Sequence, residues 1–454
     1  MKKLNFAAIL YCLALCLLLA AFCLVTCGAE EGDSAPKTVN VKDYGAVGDG
    51  VNNDTPLINE AVTHLKEGDT LYFPEGTYLL KEYGVPTIID LNGLKNVTVM
   101  LHENAILQMD VVPDGATGEQ SRHYILHLRN CENVTITGGK LYGDLASYKG
   151  TAYIDHGYAI RLADCEGITV KDVEIAHMRG DGISVFSETV TDGLYGGCRD
   201  VLIEGCEIYY CFRNGITLTS VDGCVIRDTY IHNIRGGMPQ AGIDIEAEYS
   251  GSVNRNITIE NCRFIDCYSW SVVVARKADS IVIRDSVLAS PVTLSEESAD
   301  ITFTGCTLTR VGVSAKKTVL ENCKLECLSL YGGEATCTNC EFDGKGTIPY
   351  RVLVTKSYLS SKGTFENCTF RGRGLCALGG CIVFCHTPPE SMTFTDCDFN
   401  ACGLIPFLGY LTDVEREGCF FNLGWALWLC IIAVISLVAF LIIRHNRRRV
   451  WVCR

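Results

Sequence analysis

Three carboxylic acids in this chain have the residue types and the spacing that general acid and base catalysis requires. Asp244 and Glu246 are two residues apart in the segment IDIE, so a strand would place both carboxylates on one face, about 7 Å apart. Asp181 lies just before the segment ISVF and could reach the same place. A separation of roughly 6.5–9.5 Å suits an inverting glycoside hydrolase, in which one carboxyl group protonates the leaving oxygen and the other activates water. We therefore predict Asp244, Glu246 and Asp181 as catalytic residues.

Basic and polar side chains accompany these acids and are predicted to bind substrate. Arg276 is expected next to Glu246 on the following coil, and Arg161 and His127 further along the same face. The full set of predicted substrate-binding residues is Arg161, Arg276, His127, His156, Arg213 and Glu248. No metal site and no cofactor are predicted, although a polysaccharide lyase would bring calcium into consideration.

Each of these residues also has a purely structural interpretation. Glu246 and Arg276 can form an exposed ion pair, which contributes little to stability. Asp181 precedes a Gly-Ile pair and can serve as a turn residue, because Asp tolerates unusual backbone angles. His156 can simply satisfy a loop carbonyl. The functional and the structural interpretations both remain open at the level of the sequence.

The candidate residues fall on short segments that we predict to be strands one coil apart. The segments are LHLR, IRLA, ISVF, ITLT, IDIE and VVAR, which begin at residues 126, 160, 183, 216, 243 and 273. Alternation sends the first and third residues inward and the second and fourth to solvent. One outward column is predicted to contain His127, Arg161, Ser184, Thr217, Asp244 and Val274. The neighbouring column is predicted to contain Arg129, Ala163, Phe186, Thr219, Glu246 and Arg276.

A sequence repeat explains why these strands would lie side by side. The segment NITIENCRF (Asn256–Phe264) has alternating apolar residues, a turn, a Cys and an apolar residue two positions later. Similar segments recur at intervals of roughly 20–35 residues, which indicates a solenoid because one strand cannot bury its inner face alone. We predict an all-β chain folded as a right-handed parallel β-helix. Its stacked turns would create an internal column of reduced thiols at Cys206, Cys262, Cys306, Cys323, Cys340, Cys368 and Cys397.

The N-terminal part is expected to close one end of this β-helix. The segment VNVKDYGAVGDGVNNDTPLINEAV, followed by TLYFPEGTY, contains a short amphipathic helix with Pro56 in its first turn. It resembles the N-terminal segment of the rhamnogalacturonase and epimerase-like group of the pectate-lyase-like superfamily, which shares its fold with the polygalacturonases. The resemblance implies that the helix caps the β-helix and that the chain acts on a polysaccharide.

The chain departs from this resemblance where the related families carry their catalytic signatures. Asn53 replaces one Asp of the usual Asp-Asp-Thr triplet. The polygalacturonase signatures Asn-Thr-Asp, Asp-Asp, Gly-His-Gly and Arg-Ile-Lys do not occur. The string Tyr-Ile-Asp-His that ends at His156 is similar to the Trp-Ile-Asp-His string of one pectate lyase family, but that family's arginine motif is missing. The resemblance therefore supports the fold more strongly than the reaction.

The two ends of the chain predict an exported protein that is anchored in a membrane. Residues 1–29 have the basic and apolar regions of a signal peptide. Residues 423–443 form an uncharged apolar run, long enough for a transmembrane helix. The basic tail 444–454 is expected in the cytoplasm, so the β-helix domain 37–420 would lie outside. The net charge of −14 argues against nucleic acid as a partner, and a monomer is expected.

Three functions are compatible with these features. The first is a membrane-anchored glycoside hydrolase that uses Asp244 with Glu246 or Asp181. The second is a polysaccharide lyase or uronate epimerase in which Arg161 or Arg276 acts as the base. The third is a non-catalytic surface solenoid that binds glycans, which the missing signatures favour. We predict a polysaccharide partner in all three cases and take the hydrolase as the leading hypothesis.

Overall fold

The computed structural model of the chain shows three long parallel sheets wound around one apolar core. Each strand is hydrogen-bonded to the equivalent strand of the next coil, so the chain is a parallel β-helix, as the repeat predicts. The structure describes residues 35–81, 87–111, 123–146, 156–191, 194–247, 251–344, 353–355, 361–372, 381–385, 388–400, 405–409, 413–422 and 432–443.

Among the described residues, sheet I contains fifteen parallel strands, and they hold the alternating segment of each repeat. Its strands are Thr38–Asn40, Thr70–Phe73, Thr98–Leu101, Thr135–Thr137, Glu166–Lys171, Cys198–Glu204, Val221–Arg227, Asn254–Glu260, Ala278–Arg284, Ala299–Thr304, Thr318–Glu321, Glu334–Thr338, Lys362–Glu366, Ser391–Thr395 and Val414–Glu417.

Sheet II follows the repeat's turn, and its strands are short. They are Asp49–Asn53, Gly76–Leu80, Ala105–Met109, Lys140–Tyr142, Glu174–Ala176, Glu207–Tyr209, Tyr230–His232, Arg263–Ile265, Val287–Leu288, Glu341–Gly344, Thr369–Gly372, Asp398–Asn400 and Phe420–Asn422. Two longer strands, Thr307–Val313 and Lys324–Leu330, belong to sheet II at their start and to sheet III at their end.

Sheet III carries the segments on which the candidate site was predicted. Its remaining strands are Thr87–Asn92, His123–Arg129, Gly157–Ala163, Ile183–Phe186, Ile216–Leu218, Ala241–Glu246, Trp270–Arg276, Val292–Leu294, Leu353–Thr355, Cys381–Cys385 and Ile405–Gly409. A small antiparallel hairpin, Val190–Thr191 with Leu194–Tyr195, lies in the connection from sheet III back to sheet I.

The turn from sheet I to sheet II explains the repeated Asn-Cys, Asp-Cys and Gly-Cys pairs. Asn261 adopts a left-handed backbone conformation with φ of 51°. Gly, Asn and Asp adopt this conformation at a lower energetic cost than other residues do. The buried thiol of Cys262 then donates to the carbonyl oxygens of Glu260 and Ile226, at 3.2 and 3.5 Å. Every cysteine whose side chain the structure describes is a free thiol. The predicted column of reduced thiols is therefore confirmed for that part of the chain.

The N-terminal helix, Thr55–Thr63, packs Ile58 and Ala61 into the core. Asp54 precedes the helix, but its carboxylate accepts the backbone N–H groups of Val47 and Gly48, at 2.6 and 3.1 Å. It therefore fixes the glycine-rich loop instead of capping the helix through its side chain. The helix is present where the sequence predicts it, and its inner face is part of the core.

Several predicted segments at the ends of the chain are only partly described. Residues 1–29 and 444–454 lie outside the described residues, and so do the first residues of the apolar run 423–443. A helix occupies residues 432–443. Within the described part of the chain, no helix has the length and apolar character that a membrane crossing requires.

The core near the C-terminal end contains a stack of phenylalanine rings. Phe342, Phe370 and Phe399 lie one coil apart in sheet II, with ring centroids 4.5 and 4.9 Å apart. Each ring fills the space above the preceding one, and all three are fully buried. Removing one ring would leave a cavity that the in-register coils cannot close easily.

We expect Phe370→Ala to lower the free energy of unfolding by about 3–5 kcal/mol, because it removes a buried ring and leaves a void. Phe420→Ala is the matched control, because Phe420 is 66% exposed, and we expect it to change stability by about 0.5 kcal/mol or less. Urea denaturation of the three proteins measures both values. Equal effects of the two substitutions would contradict this packing of the rings.

Candidate functional site

The outer face of sheet III carries the first of the two predicted columns. The backbone register stacks, in order, His127, Arg161, Ser184, Thr217, Asp244 and Val273. The prediction is wrong at its last position, because Val274 pairs with Ile245 and is buried in the core. The register shifts between Ile245 and Glu246, so that Glu246 pairs with Arg276 as predicted. An irregularity of this kind has no signature in the alternation of residues.

A cavity of about 500 Å³ lies over this part of sheet III. Its aromatic lining consists of Tyr124, Tyr158 and Phe186. The charged residues that line it, among those the structure describes, are Arg161, Arg213, Arg276 and Glu246. His156 also lines it. The structure thus brings most of the predicted substrate-binding residues together around one space.

The alternation predicts that Asp244 faces outward, but the structure buries it. It is 1% exposed, because the preceding turn from sheet II to sheet III lies against it. Within that turn, Asn214 donates from Nδ2 to Asp244 Oδ2 at 3.3 Å, and the Arg213 Nη2 lies 3.9 Å from the same oxygen. The prediction of an exposed Asp244 is therefore wrong, although the residue lies next to cavity-lining Arg213 and Thr217.

Asp181 is fully buried in the same network. Its Oδ2 accepts hydrogen bonds from Arg213 Nη1 at 2.9 Å and Thr217 Oγ1 at 2.8 Å, and its Oδ1 accepts the backbone N–H of Asn214 at 3.0 Å. Burial raises the pKa of Asp181, while Arg213 and the hydrogen bonds oppose that rise. Because these donors stabilise a carboxylate, we assign Asp181 as the residue that pairs with the charge of Arg213.

Asp244 has fewer compensating contacts than Asp181. Its Oδ1 is buried and has no hydrogen-bond partner among the described residues. Burial raises its pKa to about 7, with Arg213 opposing the rise and the nearby carboxylates of Glu246 and Asp181 adding to it. A carboxyl group in this condition holds a proton at mildly acidic pH, and that state is required of a general acid.

Glu246 and Arg276 form the ion pair that the stacking of their coils predicts. Arg276 Nε lies 3.4 Å from Glu246 Oε1, and both side chains are partly exposed at the cavity. An exposed pair of this kind contributes little to stability, so the two side chains are free to exchange partners with a ligand. Glu246 is the predicted carboxylate that faces the cavity directly.

Arg161 lies among aromatic rings in the cavity wall. Its guanidinium carbon is 4.0 Å from the ring centre of Phe186 and 4.5 Å from that of Tyr124. A guanidinium group over an aromatic face gains a cation–π attraction that grows as water is excluded. Glu188, from the connection to sheet I, approaches Arg161 Nε at 3.5 Å. Sequence reasoning did not single out Glu188, because it lies outside the strand repeat.

The two predicted histidines behave differently. His127 is buried next to Arg161, its neighbour in the column, and burial, with smaller contributions from Arg161 and Arg129, lowers its pKa to about 3. Its approach to Glu188, at 3.4 Å from Nε2, is therefore not an ion pair at neutral pH. His156 lines the cavity and shares a hydrogen bond of 2.9 Å with the Tyr158 hydroxyl. The last predicted residue, Glu248, lies outside the described residues.

A sequence model for rhamnogalacturonase A/epimerase, pectate lyase-like proteins matches residues 38–264. The chain belongs to this family. A model for the right-handed β-helix region matches residues 254–421. Together the two matches confirm the resemblance of the N-terminal segment and the right-handed parallel β-helix.

The relatives that the chain matches have different names, and each match covers only part of both proteins. The uncharacterized protein YclG of Bacillus subtilis is 30% identical over 258 residues, which are 52% of this chain and 43% of that protein. The plasmin and fibronectin-binding protein A of Streptococcus pneumoniae is 26% identical, over 50% of this chain and 31% of that protein. Rhamnogalacturonase A of Aspergillus niger is 24% identical, over 54% of this chain and 53% of that protein. The chain spans about half the length of these relatives, or less.

Solved structures show the same fold at low sequence identity. The A-module of the mannuronan C-5 epimerase AlgE6 from Azotobacter vinelandii has a TM-score of 0.50 and 15% identity, over 84% of this chain and 98% of that one. The pre-mature gene product 12 of bacteriophage phi29 has a TM-score of 0.54 and 16% identity, over 85% of this chain and 57% of that one. At such identities the likeness concerns the fold alone.

The raised pKa of Asp244 predicts a pH dependence of stability. The folded state holds the proton up to about pH 7, whereas the ordinary pKa of an aspartic acid in water is 3.8. Between these values the folded chain binds more protons than the unfolded one, so the contribution of Asp244 to stability falls as pH rises.

We expect the stability of Asp244→Asn relative to the unsubstituted protein to rise by about 2–3 kcal/mol between pH 5 and pH 8. Asn is nearly isosteric and has no proton to lose, so the unfavourable ionisation disappears. Asp279→Asn, at an exposed site on sheet I, is the control and should show no such trend. Denaturant titrations at both pH values provide the measurement, and parallel pH curves for all three proteins would contradict the assignment.

Proposed function

We propose that this protein is a polysaccharide-active enzyme that hydrolyses glycosidic bonds in the cavity over sheet III. The observation that carries the proposal is the buried carboxyl of Asp244, whose pKa is raised to about 7 beside a cavity of about 500 Å³. The names of family relatives, which include rhamnogalacturonase A, support a polysaccharide as the substrate. The aromatic side chains of the cavity suit the apolar faces of sugar rings.

In the proposed mechanism Asp244 donates the proton and Glu246 accepts one. Asp244 is protonated below about pH 7, so it can protonate the leaving glycosidic oxygen. Glu246 faces the cavity and would activate the attacking water when Arg276 turns toward the substrate. Asp181 retains its hydrogen bonds to Arg213 and Thr217 and positions these two cavity residues.

Access to Asp244 requires one movement in this proposal. Arg213 lines the cavity and lies 3.9 Å from Asp244 Oδ2, whereas its contact with Asp181 is 2.9 Å. A rotation of the Arg213 side chain that preserves the shorter contact would open a path to the carboxyl group of Asp244. The unpartnered Asp244 Oδ1 supports this proposal, because a substrate oxygen would satisfy it.

A second candidate function is glycan binding without catalysis. Two observations favour it: Asp244 is almost fully buried, and Glu246 is paired with Arg276. A lyase or epimerase, the other alternative from the sequence, would need a basic group free to remove a proton from a uronate. The pairing of Arg161 with Glu188 and of Arg276 with Glu246 does not favour that chemistry.

We expect Asp244→Asn to lower the turnover number by about 10²–10⁴-fold, because the general acid is lost while the cavity lining is unchanged. Asp279→Asn serves as the control and should retain full activity. The purified chain is screened against plant and bacterial polysaccharides by the release of reducing ends. The absorbance of unsaturated products distinguishes a lyase. Unchanged turnover in Asp244→Asn would remove the catalytic assignment, and binding without any product would favour the second candidate.

We further propose that the chain is exported and held at a membrane by residues 423–443 and that it is monomeric. The supporting observations are the absence of charged residues from this run and the exposed apolar side chains of the helix at 432–443. Alkaline carbonate should leave the full chain in the membrane fraction and release a chain that ends at Asn422. Release of both chains would contradict the membrane anchor. Sedimentation velocity tests the oligomeric state, and a species larger than one chain would contradict the monomer.

A further inference from the structure

Each arginine that lines the cavity over sheet III, among the residues that the structure describes, lies near a carboxylate. Arg213 Nη1 lies 2.9 Å from Asp181 Oδ2, and Arg276 Nε lies 3.4 Å from Glu246 Oε1. The third pair joins Arg161 Nε to Glu188 Oε1 at 3.5 Å. The wall therefore has hydrogen-bond donors in abundance but little uncompensated positive charge.

Arg161 relies on Glu188 for a counter-charge because its side chain is largely removed from water. The Arg161 side chain is only 12% exposed, and it lies against the rings of Tyr124 and Phe186. A guanidinium removed from water needs a counter-charge to remain stable. Among the described residues, Glu188 is the carboxylate that pairs with Arg161. At 37% exposed, the Glu188 side chain remains partly in water.

Glu188 reaches Arg161 because its backbone is held by a separate contact. Asp164 Oδ2 accepts the N–H groups of Glu188 and Thr189, at 2.9 and 2.8 Å, and Asp164 Oδ1 accepts the Ser187 hydroxyl at 2.7 Å. Three hydrogen bonds thus fix the start of the connection from sheet III to sheet I. The fixed backbone holds the carboxylate of Glu188 next to the cavity wall.

Arg161 also retains an unused donor. Its Nε is buried and has no hydrogen-bond partner of good geometry among the described residues, despite the approach of Glu188. A buried donor without an acceptor costs free energy until an acceptor is supplied. A sugar hydroxyl could accept from this nitrogen beside Glu188, whereas the carboxylate of a uronate would meet the negative charge of Glu188 at the same place.

We infer that Glu188 is a specificity-determining residue, which neutralises Arg161 so that the cavity selects uncharged glycans over uronate polymers. This inference rests on the proposed function for the site and adds the charge class of its ligand. The net charge of −14 acts in the same direction, because it repels an acidic polymer at low salt. Glu188 at the cavity wall and the net charge of the whole chain therefore both disfavour an acidic ligand.

The experiment compares the full chain, Glu188→Gln and a matched control, Glu166→Gln. Glu166 pairs with Arg199 at 3.6 Å on sheet I, so this substitution removes an ion pair of similar length that is exposed to water and lies away from the cavity. A first measurement follows the thermal midpoint in acetate and in acetamide, at constant ionic strength. We expect acetate to raise the midpoint of Glu188→Gln alone, because acetate then supplies the carboxylate to which Arg161 can donate. An acetate effect equal in all three proteins, or absent from Glu188→Gln, would overturn the inference.

A second measurement compares binding to neutral polysaccharides and to uronate polysaccharides. We expect the unsubstituted chain to prefer neutral glycans, and Glu188→Gln to bind uronate polymers roughly tenfold more tightly, with little change for neutral ones. A preference of the unsubstituted chain for uronates would overturn the inference. If the unsubstituted chain binds glycans with this selectivity but does not hydrolyse them, only the proposed hydrolase activity is overturned. If no protein binds any glycan, the proposed function fails, and the acetate result alone decides whether Glu188 neutralises Arg161.

Discussion

The in-register stacking of parallel coils is the constraint on which this structure depends. Each strand hydrogen-bonds to the same position of the next coil, about 4.8 Å away, so equivalent residues form continuous columns. The core is filled by repeated apolar side chains, mainly Val, Ile and Leu, together with columns of thiols and rings such as Cys262 and Phe370. The same constraint acts on the outer face of sheet III, where it brings Thr217 directly next to Asp244. A coil cannot change its register without moving both the core and the site.

Stacking of the turns, as well as of the strands, creates the buried polar network. In three successive coils the residue before the Gly-Ile pair is Asp181, Asn214 and then Ala241, the first residue of its strand, and Asn214 bridges its two neighbours. Its N–H donates to Asp181 Oδ1, and its Oδ1 accepts the N–H of Ala241, both at 3.0 Å. Arg213, beside it, is held between the carboxylates of Asp181 and Asp244. The polar groups are satisfied largely across coils, so the site is a property of the stack and not of one coil.

The sequence predicts the features that follow from the repeat. It does not predict those features of the site that depend on contacts outside the repeat. Alternation correctly groups Arg161, Thr217 and Asp244 in one column, because that column depends only on register. It cannot show that Asp244 is buried, since the covering turn comes from the preceding coil. It also misses Glu188, which belongs to a connection without periodicity and is held by Asp164. The N-terminal segment was informative because its helix and loop together resemble a known family, which a repeat alone does not identify.

In the proposed mechanism, the burial that suits Asp244 to the role of an acid is also the obstacle to its use. Desolvation raises its pKa to about 7, and the same covering residues separate its carboxyl group from the cavity. A strand movement would break the register of the whole stack, so the change that exposes Asp244 has to be local. Arg213 meets this condition, because a long side chain can rotate while its backbone stays hydrogen-bonded to Gly180. Leaving Asp244 without its cation would raise the proton affinity further, so the movement that opens the path also keeps the acid protonated.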